Sequence, residues 1–311
     1  MSGTSAPLAR VVCAAAACLF ALPVASADVF GTGENQFAID FVTISGATNP
    51  VIRPGIVEHD YRISVCEITN DQWDKFAAEL GMPVTGDPEG AYDDPLVWTG
   101  PDLPRNEVSW QQAAQFVNWL NTSTDRPAAY NFTGTQGQSN YTFAPWTPAE
   151  ADGDNLYRHK DAFYYLPTDD EWVKAAYWNG AALQTYATPD GSAPVERVDA
   201  NYGFAIGAQP WAVGSGSAEL NGTRDMMGNV YEWLENPFDD PAYGALSWRE
   251  LRGGTFNSVL SLLASPSRIS SPTYYREYNG IFGFRVAANT PEPASLALLA
   301  LGALTVLRKR R

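Results

Sequence analysis

The stretch Asn221-Gly222-Thr223-Arg224-Asp225-Met226-Met227-Gly228-Asn229-Val230-Tyr231-Glu232-Trp233-Leu234-Glu235-Asn236-Pro237-Phe238 carries two turn signals, Asn221-Gly222 and Gly228-Asn229. A short apolar–polar alternation follows them and ends in Trp233. Asn and Gly tolerate turn conformations that other residues resist. Asp225 and Glu232 bracket the second turn, so one tight loop offers two carboxylates and several backbone carbonyls. Hard cations such as calcium favour such oxygen cages. The same residues also suit a turn cap and a solvated carboxylate, the commoner fate of such groups.

Further strings frame this loop. Tyr61-Arg62-Ile63 with Glu67-Ile68-Thr69-Asn70, Val108-Ser109-Trp110, and Leu166-Pro167-Thr168 with Glu171-Trp172 precede it. Leu251-Arg252-Gly253-Gly254-Thr255-Phe256 and Gly283-Phe284-Arg285-Val286 follow. In this order the strings resemble the formylglycine-generating enzyme family, the sulfatase-modifying factors, from Phe37 to Asn289. The resemblance implies a single α+β domain with little regular secondary structure, related to the C-type lectin fold.

Both ends of the chain read as address labels. Residues 1–27 hold Arg10, an apolar run from Val11 to Val24 and Ala25-Ser26-Ala27, the pattern of a secretory signal peptide with its small-residue cleavage site. Residues 291–311 hold Pro291-Glu292-Pro293, an apolar stretch from Ala294 to Leu307, and Arg308-Lys309-Arg310-Arg311. A basic cluster behind an apolar segment halts it in the inner membrane. The triplet resembles the PEP-CTERM sorting signal, which implies transient inner-membrane anchoring and removal of the tail by an exosortase-type enzyme. The expected destination is the cell surface or extracellular matrix of a Gram-negative-type bacterium.

Residues 28–290 remain as the domain. Without Arg10 and the four basic tail residues, 15 of 20 Lys and Arg are left; without Glu292, 34 of 35 Asp and Glu are left, a net charge of −19. So acidic a body repels nucleic acid and anionic surfaces and suits cations. Cys13 and Cys18 fall in the signal peptide, so Cys66 stands alone, with no partner for an internal disulfide. Ile63, Val65 and Ile68 place it on an apolar strand. His59 and His159 are too few and too far apart in sequence to suggest a zinc site.

Phe37 to Gly46 reads as a first strand and Tyr61 to Ile68 as a second. Capping boxes at Thr69…Gln72, Ser109…Gln112 and Thr168…Glu171 each open a helical apolar spacing: Trp73, Phe76 and Leu80; Ala113, Phe116, Val117 and Leu120; Trp172, Ala175 and Ala176. Between them, Thr85–Pro104 and Ala129–Asp154 are rich in Gly, Pro, Asn and Asp and read as long loops.

The resemblance also implies site residues. In the family's second calcium site Asp225 is the first ligand, Gly228 and Val230 give carbonyls, and Glu232 closes the cage. The first site begins with Asn201 and the carbonyl of Tyr202, but the segment for its remaining ligands is shortened between Gly203 and Val213. The family's enzymes oxidise a substrate cysteine using copper(I) held by two thiolates. Ser258 and Leu263 occupy those positions, with Thr255 nearby in place of a Ser. Copper(I) needs soft donors, so a copper cofactor is not expected and catalysis is in question.

Three readings follow. The first is a non-catalytic, calcium-stabilised surface module that binds a glycan or exopolysaccharide. The second is an oxidase-type enzyme acting on a protein cysteine, and the third a purely structural matrix protein. The loop aromatics Tyr130, Phe132, Tyr141, Phe143 and Trp146 serve the first reading as sugar-stacking platforms, or either of the others as buried anchors.

Overall fold

The capping boxes set the helices. Thr69, Ser109 and Thr168 each accept the backbone N–H three residues on, and Gln72, Gln112 and Glu171 bond back to the cap. Each such cap stabilises by about 1 kcal/mol. They open α1 (Asn70–Leu80), α2 (Trp110–Thr122) and α3 (Asp169–Tyr177) in a computed structural model that describes residues 26–84, 97–204, 207–238, 247–274 and 280–291. The sorting tail beyond Pro291, most of the expected signal peptide and residues 85–96 of the first expected loop lie outside the described residues.

Two sheets carry the helices. β1 (Ser26–Phe30), β2 (Phe37–Ile44) and β3 (Tyr61–Ser64) run antiparallel as a meander. Two small hairpins follow, β4 (Asn131–Thr133) with β5 (Thr142–Ala144) and β6 (Ala151–Asp152) with β7 (Asn155–His159). Next come β8 (Tyr164–Tyr165), β9 (Tyr231–Pro237), β10 (Arg249–Arg252), β11 (Ile269–Ser271), β12 (Phe282–Gly283) and β13 (Ala287–Asn289). The larger sheet has the order β1-β2-β3-β13-β8, so the chain's last described strand lies inside it, next to β3. The second sheet is β11-β10-β9-β12, with β9 and β12 parallel.

Burial on β2 alternates from Phe37 through Ile39 to Phe41, as a strand with one buried face should. Those residues pack with Trp73, Phe76, Phe116 and Leu120 from α1 and α2 into one core. Trp73 and Phe116 stack with ring centres 5.9 Å apart and planes nearly parallel. A second core gathers around α3 from Val42, Ile63, Trp172, Met226, Met227 and Leu263.

Three expectations change. β1 precedes the expected first strand and starts at Ser26, because its backbone pairs residue by residue with β2. β3 ends at Ser64 instead of Ile68, since the chain turns away there and Cys66 sits beyond the strand, half-buried. The Ala129–Asp154 stretch is not all loop, for it contains the β4–β5 hairpin and β6. Its aromatics are anchors: Tyr130 and Phe143 are buried, Phe132 stacks on Tyr141 at 4.9 Å, and Trp146 donates to the Ala129 carbonyl. Among the described residues, no helix is long and apolar enough to cross a membrane.

Candidate functional site

The loop from Asn221 to Tyr231 owes its shape to four left-handed residues, Gly222, Asp225, Gly228 and Asn229. A side chain at Gly228 would put Cβ 2.1 Å from the Asn201 carbonyl, so only glycine fits. Gly228 donates its N–H to Gly253, and Asn229 donates to the Asn201 carbonyl. The Asn201 side chain in turn donates to Asn229 Oδ1 at 3.1 Å. The two expected calcium sites are therefore stitched together, and the Asn201 carbonyl and amide are spent on the stitching. Tyr202 points its hydroxyl to the Pro194 carbonyl.

Asp225 is buried and accepts from Trp211 Nε1 and from the Gly214 N–H, one on each carboxylate oxygen. Glu232 is fully buried on β9. Its Oε2 accepts from Trp172 Nε1 at 2.7 Å and from Arg285 Nε at 2.6 Å, and its Oε1 accepts from Arg285 Nη2 at 2.6 Å. Arg285 spends its remaining N–H groups on the carbonyls of Ser64, Val65 and Arg224. One guanidinium thus ties β9, the end of β3 and the Asn221–Tyr231 loop to the segment before β13.

This guanidinium faces more acid than it can neutralise. Glu67 is 2% exposed, takes one bond from Asn229 Nδ2 on Oε2, and leaves Oε1 without a hydrogen-bond partner. Burial, and then Asp225 and Glu232, push the Glu67 carboxyl well above the usual range. Asp225 is raised by burial as well. Glu219 closes the group, accepting from the Met226 N–H and the Thr223 hydroxyl. The carbonyls of Met226 and Val230 both face Gly253, at 3.4 and 3.7 Å from where its Cβ would stand.

Of the expected calcium ligands, Asp225 lies within this group of buried acids, and the Val230 carbonyl faces Gly253. Glu232 reaches a cation only by sharing oxygens already held by Arg285 and Trp172. Among the described residues, no three His, Cys, Asp or Glu are spaced to hold a metal by themselves, so backbone carbonyls must complete any cage.

Ser258 and Leu263 do come together. A Cβ on Gly254 would lie 3.0 Å from Leu263 Cδ1 and 3.4 Å from Ser258 Cβ, so both pack against that glycine. Leu263 is fully buried, and Ser258 is nearly so. The Ser258 hydroxyl accepts the Thr255 N–H at 2.9 Å and lies 3.2 Å from Thr255 Oγ1. The pair is a hydrocarbon and a bonded hydroxyl, a poor hold for a soft ion. Cys66 is elsewhere, its sulfur 3.4 Å from where a Cβ on Gly214 would be, and burial pushes its thiol up to about 12.

The two histidines, far apart in sequence, meet in the fold. His59 and His159 line one small cleft of about 170 Å³ together with Asp152. Arg158 and Lys160 line it too, and cations oppose a metal there. His159 Nδ1 already accepts the Asp161 N–H at 3.1 Å.

The sequence reading missed Arg285 and Glu67 as site residues, although both lie in quoted strings. Trp211 had no signal at all.

The model of the sulfatase-modifying factor enzyme 1-like domain matches residues 35–290, and that of the PEP-CTERM protein-sorting motif matches residues 289–311. Hercynine oxygenase of Mycolicibacterium smegmatis is 27% identical over 185 residues, covering 57% of this chain but only 37% of its own length. Chaperone protein LppX of Paenibacillus barcinonensis is 27% identical over 256 residues, covering 74% of this chain and 83% of its own. In fold, the chain is similar to Treponema denticola variable protein 1, with a TM-score of 0.59, 19% identity, and 86% and 100% of the two chains covered. It is also similar to CarF, with a TM-score of 0.58, 23% identity, and 81% and 99% covered.

Proposed function

The chain belongs to the family of sulfatase-modifying factor enzyme 1-like domains, and we propose that within it this protein is an exported binding module without oxidase chemistry. The PEP-CTERM motif marks it as an exported, surface-associated protein processed by an exosortase-type enzyme. An N-terminal signal peptide over residues 1–27 is the matching export label.

The observation that carries the proposal is the packing at Gly254. Where the family's enzymes need two thiolates, Ser258 and Leu263 stand packed against the glycine and buried. Of the two curated relatives, the one matched over most of its own length is named a chaperone protein. A surface glycan or exopolysaccharide is the partner that fits an exported module. The test is direct: the purified protein is dialysed with one equivalent of copper(I) and then incubated in air with a cysteine-containing sulfatase peptide. The metal should wash out and the peptide mass should stay unchanged. Retained copper, or an aldehyde product, would overturn the reading.

Calcium is the proposed stabiliser, held by Asp225, the carbonyls of Gly228 and Val230, and a shared oxygen of Glu232. A ligand that binds only the native state adds about 2.7 kcal/mol at a hundredfold excess over Kd. Chelation should therefore lower the melting temperature of the purified protein, and Asp225→Asn should abolish the difference. Glu232→Gln is a poorer probe because it also breaks the Arg285 pair. Identical melting curves with and without chelator would remove calcium from the reading.

A further inference from the structure

A cleft of about 590 Å³ is assembled from separate parts of the chain, a volume typical of small-ligand sites. The first turn of α3 gives it Asp169 and Asp170. β10 gives it Glu250 and Arg252, two residues apart on one strand and so on one face. Residues 52–54 add Arg53, and the segment before β11 adds Arg268. None of Ser258, Leu263, Asp225 and Glu232 lines it.

Three guanidinium groups here meet three acids, and each is matched. Arg53 pairs with Asp170, Arg252 Nε with Asp169 Oδ1 at 2.6 Å, and Arg268 Nη1 with Glu250 Oε2 at 3.4 Å. The cleft is therefore balanced in charge, and neither an anion nor a cation finds an unmatched partner in it. Between the pairs, Val173, Leu183, Pro237 and Pro266 supply apolar wall.

One acceptor and one donor in the buried part are left over. Glu250 is 2% exposed, and its Oε1 has no hydrogen-bond partner. Arg252 is equally buried and spends Nε on Asp169 and Nη1 on the carbonyls of Ser265 and Ser267. Its Nη2 stands 3.2 Å from Glu250 Oε1 but off the line a hydrogen bond needs. A buried polar group in that condition costs free energy that a ligand's hydrogen bond recovers. A hydroxyl both donates and accepts, so a single one serves Glu250 Oε1 and Arg252 Nη2 together. Burial raises the Glu250 carboxyl to about 7, so both its forms occur at neutral pH. An ammonium suits only the ionised form and a carboxylate only the protonated one; a hydroxyl suits both.

We propose that this cleft binds an uncharged sugar residue of a glycan, one hydroxyl bridging Glu250 Oε1 and Arg252 Nη2 and the C–H face of the ring against the apolar wall. The proposal rests on the reading of the protein as an exported glycan-binding module, and it names the class of sugar and its place.

A glycan array printed with neutral, uronate-bearing and amine-bearing oligosaccharides tests it on the purified protein at neutral pH, and calorimetry then measures the strongest neutral hit. Neutral glycans should lead the array. Glu250→Ala should weaken that hit about tenfold, the margin of one lost hydrogen bond. In this variant Arg252 keeps Asp169 and two carbonyls, and Arg268 is 43% exposed, so the fold should survive. Pro266→Trp, at an exposed position on the wall, should fill the cleft and abolish binding, and it carries the test alone if Glu250→Ala unfolds. Hits confined to uronates or amines, or neutral hits of parental affinity in either folded variant, would overturn the cleft and leave the binding module standing. An array without hits would overturn the cleft and the glycan partner together, while the copper and peptide experiment would still decide whether oxidase chemistry is absent.

Discussion

Replacing Arg285 with Met should destabilise the protein by about 3–5 kcal/mol, the cost of stranding a buried charge by removing its partner. For a domain of this size that is a fall on the order of 10 °C in melting temperature. The reason lies in the count of partners. Arg285 and Glu232 are both fully buried, and all five guanidinium N–H groups are used, two on Glu232 and three on the carbonyls of Ser64, Val65 and Arg224. Glu232 holds the guanidinium in its charged form against the desolvation of burial. Without it, Glu232, Glu67 and Asp225 face one another in a dry site, and three backbone carbonyls lose a donor. Arg285→Lys should recover little, because an ammonium has three donors on a point charge and cannot span Glu232 side-on. Adding Glu232→Gln to Arg285→Met should recover part of the loss. Urea melts of the three variants decide the matter. A loss below about 1 kcal/mol for Arg285→Met would mean that the surrounding acids already hold protons and the pair adds little.

The contrast between what was legible in the sequence and what was not follows from sequence separation. The helix starts were legible because a capping box is a contact over three residues: Thr69 with Gln72, Ser109 with Gln112, Thr168 with Glu171. The turn between the carboxylates Asp225 and Glu232 was legible for the same reason, since Gly228 and Asn229 lie between them in the chain. The partners that give those carboxylates their character come from far away. Trp172 lies on α3, Arg285 just before the last strand, and Glu67 beyond β3, in contact with Asn229 across the fold. No local periodicity encodes such contacts; the motif strings held these residues but assigned them no role. β1 was missed because a strand is defined by its pairing, and Ser26-Ala27 carries a cleavage-site pattern instead of an apolar alternation. His59 and His159 were separated by a hundred residues of sequence and joined by topology, because β13 and β8 close the sheet beside β3.

The protein should also be more stable in mild acid than in mild alkali, and Glu235 gives the clearest account of why. Its carboxyl is 1% exposed on β9, accepting from the Tyr130 hydroxyl at 3.0 Å and from Asn155 Nδ2 at 2.9 Å. Burial pushes it up to about 7, a rise that the nearby Arg158 guanidinium moderates and does not cancel. A carboxyl raised in the folded state favours folding while it holds its proton. The stability it contributes is complete below the ordinary value near 4.5 and is lost as pH climbs through about 7. A shift of that size corresponds to roughly 3 kcal/mol for one group. Glu250, raised by burial to about 7, and Glu219, raised by burial to about 8, push in the same direction. Melting temperature measured without added metal should therefore decline steadily between about pH 5 and pH 8.5. Glu235→Gln keeps an acceptor for Tyr130 and cannot ionise, so it should flatten the decline and leave the variant more stable than the parent at the alkaline end. A melting temperature that rises across this range would mean that Arg158 holds Glu235 ionised throughout, and that the network of Tyr130, Asn155 and Arg158 is a satisfied ion pair instead of a buried acid kept neutral.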